Sequence, residues 1–363
     1  MVQVPTLKEK IAMNSDAFVI RFIEENIVKH NLGFNEILET TPMHKSLVES
    51  FEANGWTSKA DDRNPRRFDM FNPEGDFVVA VKGISATRHP AVTTRICRMK
   101  EHTKKMLNLA GVPNPVGAEF QLSEEKIAAE YFGMMPKPVV VKPTNSASSQ
   151  GVSINVANLA GFRNAWERAL GESNERSRIL IEEHVQGLEI RAYVVGRQLV
   201  AAAVRLPPFV VGDGESTVLE LIGSEQQKRR KNRKLRTNFE TDWDFVNKDG
   251  MHANSIPTEK QIVLLHPFKT TGNGGLFFDI TDTVSNGIVD LAIAAKQAIP
   301  GLEIAGIDIL AQDIDRPDTA VVLEINTTPA PDVHRYPAYG VARSIHQDIA
   351  DFYHSEFSDH EQK

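Results

Sequence analysis

The stretch 305–329, AGIDILAQDIDRPDTAVVLEINTTP, constrains the fold most strongly, because it has the pattern of two paired strands. Two apolar segments flank a polar turn with Asp and Pro, which predicts an antiparallel hairpin. Residues two apart on a strand share a face, so Glu324 and Asn326 point the same way, and Asp308 joins them if the strands pair in the simplest register. These hard oxygen donors suit Mg²⁺. A hairpin with solvated acids on its outer face is the alternative that this stretch alone leaves open.

Length and charge limit the class of protein. A chain of 363 residues is expected to form two or three packed lobes. The net charge of −7 argues against a protein that coats nucleic acid. The single cysteine, Cys97, excludes an internal disulfide framework and favours a reducing compartment. The amino terminus does not have the pattern of a secretory signal, and no apolar run would span a bilayer. We therefore expect a cytoplasmic enzyme that binds neither nucleic acid nor a membrane.

The first part of the chain, up to about residue 92, predicts a small α/β lobe. Residues 18–32 have helical apolar spacing, and residues 76–83 predict a short buried strand that ends at Gly83. The following segment, 96–117, predicts one helix that ends before Gly111, with an apolar face made of Ile96, Met99, Met106, Leu107 and Leu109. Lys100 and Lys104 lie on this helix, where a solvated basic face is the ordinary interpretation.

A buried strand, VVVK, ends at Lys142 and is followed by a loop of small residues from Thr144 to Gly151. Small side chains let backbone N–H groups approach phosphate oxygens, and a lysine at the strand end adds a positive charge. This loop does not have the Walker pattern GxxxxGK[ST]. A serine-rich hairpin loop is the structural alternative.

Residues 178–216 are rich in strand patterns and carry Glu182, Glu183 and Glu189. These acids could bind adenosine hydroxyls or lie at the edges of a sheet. Gly212 and Gly214 match only the start of a dinucleotide fingerprint, so a tight turn is the better interpretation.

A basic run begins after Ser224 and predicts either a solvated helix face or a mobile arm that meets phosphate or an acidic substrate. Glycines at 272, 274 and 275 predict a flexible loop that could cover a reaction centre. Residues 285–303 and 342–357 predict amphipathic helices.

Five segments in this order resemble the ATP-grasp superfamily of carboxylate–amine ligases. They are RMKEHTKKML, PVVVKPTNSASSQGV, ILIEEHVQGLEIRAYVV, VVGDGESTVLELI and GIDIL…VVLEINTTP. The resemblance covers roughly residues 96–353. It is closest to the ligase domain of cyanophycin synthetases and to glutathione-synthetase-like domains, and more distant from D-alanine–D-alanine ligase. It implies an α/β (α+β) fold in which two subdomains, 96–178 and 179–363, grip ATP. A small N-terminal α/β lobe, 1–95, precedes them, and residues 206–275 form a flexible region.

The resemblance also implies roles for individual residues. Lys100 and Lys142 would contact nucleotide phosphates, with Lys104 as the rival to Lys100, and Ser148 and Gly151 would lie in the phosphate loop. Glu182 and the backbone of Glu183 and Val185 would read the adenine edge, and Glu189 would bind the ribose. Asp308, Glu324 and Asn326 would hold one or two Mg²⁺ ions, for which Mn²⁺ can substitute. Arg205 would stabilise an acyl phosphate, so Arg205 and Lys142 are the expected catalytic residues.

The implied reaction is amide-bond formation through an acyl phosphate, with ADP and phosphate as products and amino acids or peptides as substrates. Gly306 departs from D-alanine–D-alanine ligase, which has an arginine there, so D-alanine is not the expected substrate. The sequence has no Mur-ligase-like second half, so alternating polymerisation is not expected either. Arginines in the 205–275 region favour an acidic or peptidyl substrate. A phosphotransferase without an amine acceptor and a non-catalytic nucleotide-binding module are the alternatives, and the resemblance allows a homodimer.

Overall fold

The computed structural model describes residues 15–38, 41–144, 150–175 and 177–358. Within them the strands form a leading four-stranded sheet, a second four-stranded sheet, a five-stranded sheet and a two-stranded ribbon. The expected phosphate-loop residue Ser148 lies outside the described residues.

The leading part of the chain packs against the rest of the molecule through two helices. Its elements are α1 (Ser15–Ile23, extended by a π-helical turn, Glu24–Val28), α2 (Met43–Ala53), β1 (Thr57–Asp61), β2 (Asn64–Phe71), β3 (Phe77–Lys82) and β4 (Ser85–Ala86). The four strands pair in sequence order as an antiparallel sheet. Strand β3 ends before Gly83, which has φ +60, as the sequence predicts.

The second four-stranded sheet has the strand order β5–β8–β6–β7. The elements of this part are α3 (Ala91–Arg98), α4 (Lys100–Leu109), β5 (Gly117–Gln121), α5 (Glu125–Met134), β6 (Val139–Pro143), β7 (Ser153–Val156), α6 (Leu159–Gly171) and β8 (Arg178–Glu183). Helices α5 and α6 cover one face of the sheet through a core that includes Phe132, Phe162 and Trp166. Strand β8 belongs to this sheet, so the chain leaves it beyond the boundary predicted at 178/179.

Segment 96–109 is not one helix, so the prediction of a single continuous helix is wrong. Helix α3 ends at Arg98, and Met99 adopts an extended conformation before α4 begins. Ile96 on α3 and Met106 and Leu107 on α4 nevertheless pack against the same core. Leu107 is buried, whereas Met99 is 39% exposed and Leu109 is 75% exposed.

The remaining chain forms the five-stranded antiparallel sheet, with the order β13–β10–β9–β14–β15, and the elements around it. These elements are β9 (Leu188–Val195), β10 (Gln198–Leu206), β11 (Phe209–Val211), α7 (Val218–Arg229), α8 (Trp243–Lys248), β12 (Ile262–Leu264), β13 (Leu276–Asp279), α9 (Asn286–Gln297), β14 (Ile304–Ala311), β15 (Val321–Asn326), α10 (Asp332–Arg335) and α11 (Ile345–Ser358). The predicted hairpin of 305–329 is confirmed as the β14–β15 pair.

The two faces of the five-stranded sheet differ because side chains alternate along each strand. One face carries apolar residues such as Ile190, Ile307 and Ile325 and is covered by α1 and α9. The other face is apolar near the β9–β10 turn, where Tyr193 packs with α2 and α11. The rest of that second face carries charged side chains, and these form the candidate site.

Residues 206–275 contain a small core of their own, built from Val210, Val218 and Phe239 with their neighbours. Helix α7 begins with a capping box in which Thr217 and Glu220 bond each other's backbone N–H groups. None of the described helices is long and apolar enough to cross a membrane.

Candidate functional site

One half of the site is a buried carboxylate held between two lysines. Glu182 on β8 is 3% exposed, accepts a hydrogen bond from Lys142 on β6 and lies 2.7 Å from Nζ of Lys104 on α4. Burial opposes ionisation of this carboxyl, but the charges of Lys142 and Lys104 outweigh it and lower the pKa of Glu182 to about 2. Glu182 is therefore an anion that keeps two partly buried lysines in place.

Strand register explains how these groups meet. Val140 pairs with Glu182 and Lys142 pairs with Leu180, so Lys142 and Glu182 are diagonal neighbours on one face of the sheet. On the other side Glu182 pairs with Gly117 of β5. A Cβ atom at position 117 would lie 2.6 Å from Cβ of Glu182. Glycine is thus required at 117 for this pairing, a requirement that the sequence alone did not reveal.

The other half of the site is the polar face of the β14–β15 hairpin. Asp308 pairs directly with Glu324, and Gly306 pairs with Asn326. Nδ2 of Asn326 lies 3.3 Å from Oδ2 of Asp308. The three oxygen-bearing residues predicted from the sequence therefore share one face. Among the described residues no group of three or more His, Cys, Asp or Glu side chains could hold a metal ion; this site instead combines two carboxylates with one amide.

Lys100 lies between the two halves. Burial and the charge of Lys142 lower the pKa of Lys100, whereas Glu324 and Glu182 raise it. Helix α4 begins at Lys100, carries Lys104 to Glu182 and packs against β15, so Lys100 lies near both halves of the site. Both candidate phosphate lysines thus belong to the site: Lys104 forms an ion pair with Glu182, and Lys100 interacts with Glu324.

Arg191 on β9 is a central residue of the site that the sequence interpretation missed. Its Nε and Nη2 atoms donate to the two oxygens of Asp308, the second across 2.8 Å. Both side chains are about nine-tenths buried, with exposures of 10% and 11%. Burial disfavours the charged guanidinium, but Asp308 outweighs it and raises the pKa of Arg191. The period-2 pattern of LEIRAYVV placed Arg191 on the face of Glu189, which was the available signal.

Arg205 on β10 lies beside the Arg191–Asp308 ion pair. Its Nη1 atom lies 3.2 Å from Glu189, and its Nη2 atom lies 3.6 Å from Oδ1 of Asp308. The buried Nε of Arg205 has no hydrogen-bond partner within the described part of the chain. Lys269 is a further missed cation here. Burial lowers its pKa, and the charge of Glu189 opposes that effect.

His334 on α10 was also missed. It is fully buried, and its ring meets that of Tyr193 edge-on at 5.9 Å between centroids. Neither ring nitrogen finds a hydrogen-bond partner among the residues that the structure describes. Burial and the charges of Arg191, Arg205 and Arg343 lower the pKa of His334 to about 3. The imidazole ring of His334 is therefore uncharged at neutral pH and lies beside the arginines.

The remaining predicted residues surround the passage between the sheets. The N–H of Glu183 donates to Val116, and Val185 lies half-buried in the link to β9. A Cβ atom at Gly187 would lie 2.4 Å from the carbonyl oxygen of Ala311, so the link can approach the end of β14 only with glycine there. Gly151 has φ +70 at the start of the turn before β7.

The basic run after Ser224 is not simply a solvated face. Arg229 is 2% exposed, pairs with Glu225, donates to the carbonyl of Gly274 across 2.6 Å and stacks over Phe239. For Arg229 the solvated-face prediction is wrong, because the residue anchors the glycine-rich turn. That turn is hydrogen-bonded from Gly275 to Thr270, and its role as a cover stays a prediction.

Comparison with known proteins gives three findings. Residues 112–207 match the family model described as D-ala D-ala ligase C-terminus. The chain is 32% identical over 264 residues to a cyanophycin synthetase from Synechocystis sp., covering 69% of this chain and 30% of the relative. It is 29% identical over 290 residues to the glutathione biosynthesis bifunctional protein GshAB from Pasteurella multocida, covering 76% of this chain and 38% of the relative.

The fold is shared with the crystal structure of a bifunctional glutathione synthetase from Pasteurella multocida. The TM-score is 0.65 at 24% identity, over 86% of this chain and 43% of that one. The chain thus spans well under half the length of these curated relatives. The predicted ATP-grasp fold is confirmed: the chain is homologous to cyanophycin synthetases and GshAB proteins, and its residues 112–207 match the D-ala D-ala ligase C-terminus model.

Proposed function

We propose that the chain is an ATP-dependent carboxylate–amine ligase that forms a peptide or amide bond. The observation that carries the proposal is the meeting of two halves: Lys142 of β6 and Lys104 of α4 around Glu182, and Asp308 with Asn326 on the hairpin against which α4 packs. Homology to proteins named as a synthetase and as a glutathione biosynthesis protein supports this proposal.

The proposed reaction has two steps. A carboxylate oxygen of the first substrate attacks the γ-phosphorus of ATP, and ADP leaves. The nitrogen of an amine then attacks the acyl carbon, phosphate leaves, and the amine loses a proton. The protein has little covalent work to do in such phosphoryl transfer, so positioning and neutralisation of charge dominate catalysis. A site lined by six cations and four carboxylates suits this task.

The nucleotide would lie between the two sheets. Lys142 with Lys104 or Lys100 would bind phosphate oxygens as point charges, and Ser148 and Gly151 would belong to the phosphate loop. Glu182 and the backbone of Glu183 and Val185 would meet the adenine edge, and Glu189 the ribose hydroxyls. The sheet changes at Gly187, so we place the hinge between the subdomains there and not at residue 178.

Asp308, Glu324 and Asn326 offer carboxylate and amide oxygens, which fit a hard divalent ion such as Mg²⁺ or Mn²⁺. When bound, such an ion supplies positive charge to the phosphate oxygens during transfer. Arg205, whose buried Nε has no hydrogen-bond partner among the described residues, would stabilise the acyl phosphate. Amino acids or peptides are the proposed substrates.

The test is an ADP-release screen of the purified chain against pairs of amino acids and dipeptides. A ligase releases ADP only when both a carboxylate and an amine are present, and mass spectrometry then detects the condensed product. ADP release that needs no amine would instead identify a phosphotransferase. AMP with the amide product would contradict the acyl-phosphate route. Asp308→Asn is the matched negative control, because it keeps the side-chain volume and removes the charge.

A further inference from the structure

Both oxygens of the Asp308 carboxylate accept hydrogen bonds from neighbouring side chains. Oδ1 accepts from Nε of Arg191 and has Nη2 of Arg205 at 3.6 Å. Oδ2 accepts from Nη2 of Arg191 at 2.8 Å and has Nδ2 of Asn326 at 3.3 Å. The two parallel contacts from Arg191 form the planar fork that matches a carboxylate best.

This fork places a full positive charge where the proposed function needs a divalent cation. The pair is about nine-tenths buried, so water screens it little and the guanidinium would repel a cation approaching the same oxygens. A divalent ion and the guanidinium of Arg191 therefore compete for the charge of Asp308, and binding of the ion weakens the fork.

The position of Gly306 explains why the arginine comes from β9. A Cβ atom at 306 would lie 2.6 Å from Cβ of Pro329 and 3.3 Å from Nη1 of Arg191. A side chain at 306 would therefore compete with the guanidinium for space. The absence of a side chain at 306 leaves the room that Arg191 occupies beside the hairpin.

We propose that Arg191 is a positioning residue that competes with a divalent ion for Asp308 and is displaced from Asp308 when the ion binds. The inference rests on the proposed function, because it takes Asp308 as a metal ligand. The released guanidinium stays beside Arg205 and Glu189 on the same face of the sheet. The substrate carboxylate would be phosphorylated on this face. Ion binding thereby frees a cation for the substrate.

The test measures Mn²⁺ binding without nucleotide, by electron paramagnetic resonance of the free ion. Arg191→Gln keeps hydrogen-bonding capacity but removes the competing charge, so it is expected to bind Mn²⁺ about ten-fold or more tightly than the wild type. Arg191→Lys keeps a charge but cannot form the fork, so its affinity is expected to lie between the two. Simple structural damage would weaken binding, which is the opposite direction. If Arg191→Gln does not fold, the lysine variant decides the question.

Two further variants make the outcomes distinguishable. Arg343→Gln breaks a comparable fork on Asp279 of β13, which β10 and β9 separate from Asp308, and is expected to leave Mn²⁺ affinity unchanged. Asp308→Asn is expected to lose the tight site. If Asp308→Asn loses Mn²⁺ but neither Arg191 variant binds it more tightly than the wild type, the competition is refuted and the metal site stands. If Asp308→Asn binds Mn²⁺ like the wild type, the proposed metal site itself is refuted together with this inference.

Discussion

Replacing Glu182 by glutamine removes the one negative charge between Lys104 and Lys142 while preserving the shape of the side chain. The pKa of Glu182 falls from its ordinary 4.5 to about 2 in the folded chain, and each pKa unit corresponds to about 1.4 kcal/mol. Ionised Glu182 therefore stabilises the folded state by about 3 kcal/mol relative to its protonated form. Glu182→Gln is expected to lose about this amount at neutral pH.

The pH dependence gives the prediction its sign. A carboxyl whose pKa is lowered on folding stabilises the protein fully above the unfolded pKa, here 4.5, and loses that contribution as the pH falls through the folded pKa of about 2. The wild type should therefore lose its advantage over Glu182→Gln as the pH falls across this window. Above it the difference between the two proteins should be constant.

The assay is urea unfolding at a series of pH values, followed by tryptophan fluorescence, to which Trp166 in the core of the same sheet contributes. Glu183→Gln is the matched control, because Glu183 is the next residue on β8 and is exposed. It is expected to change the free energy of unfolding by less than about 0.5 kcal/mol. A constant difference between wild type and Glu182→Gln down to the most acidic pH would refute the reasoning, as would an equal effect of Glu183→Gln.

Three further predictions follow from the site. Asp308→Asn is expected to bind ATP with nearly unchanged affinity but to lower ADP release about 100-fold or more, as measured by calorimetry and a coupled assay; unchanged turnover would contradict its role. Lys104→Met is expected to weaken ATP binding about ten-fold, because Lys104 lies with Lys142 on Glu182. Lys100→Met should mainly lower kcat, because Lys100 also interacts with Glu324. If the two variants changed the ATP dissociation constant and kcat equally, these separate roles of the two lysines would be wrong. His334→Phe should flatten the loss of stability on acidification, because the pKa of His334 is lowered from 6.5 to about 3, so stability is present above pH 6.5 and is lost as the pH falls towards 3. Parallel stability curves of His334→Phe and the wild type across that range would contradict it.

Local sequence pattern was sufficient to predict features that lie within one helix, one strand or one hairpin. Period-2 alternation and a polar turn predicted the β14–β15 hairpin, and the hairpin alone brings Asp308, Glu324 and Asn326 to one face. The strand that ends near Lys142 and the helix α9 were predicted in the same way. These features depend on contacts between residues close in the chain, which period and turn chemistry encode.

Sequence pattern gave wrong predictions where a break within a helix, or a contact with a residue distant in the chain, determines the structure. Met99 interrupts a segment that has helical spacing throughout, and the methionine side chain does not predict its extended conformation. Arg229 lies in a basic run, yet it is buried because Glu225, Phe239 and the carbonyl of Gly274 surround it. A charge pattern alone cannot distinguish a buried, satisfied arginine from a solvated one.

The sequence by itself determined the order of the segments, the fold that this order resembles, and the three oxygen donors on one hairpin. Only the tertiary structure showed that Glu182 lies between two lysines from different elements and that Arg191 holds Asp308 from the adjacent strand. These pairings join residues as far as 117 positions apart. They exist because strand register and the close approach at Gly117 and Gly306 bring opposite charges together in a site that excludes most water, and register between distant strands is not written in local periodicity.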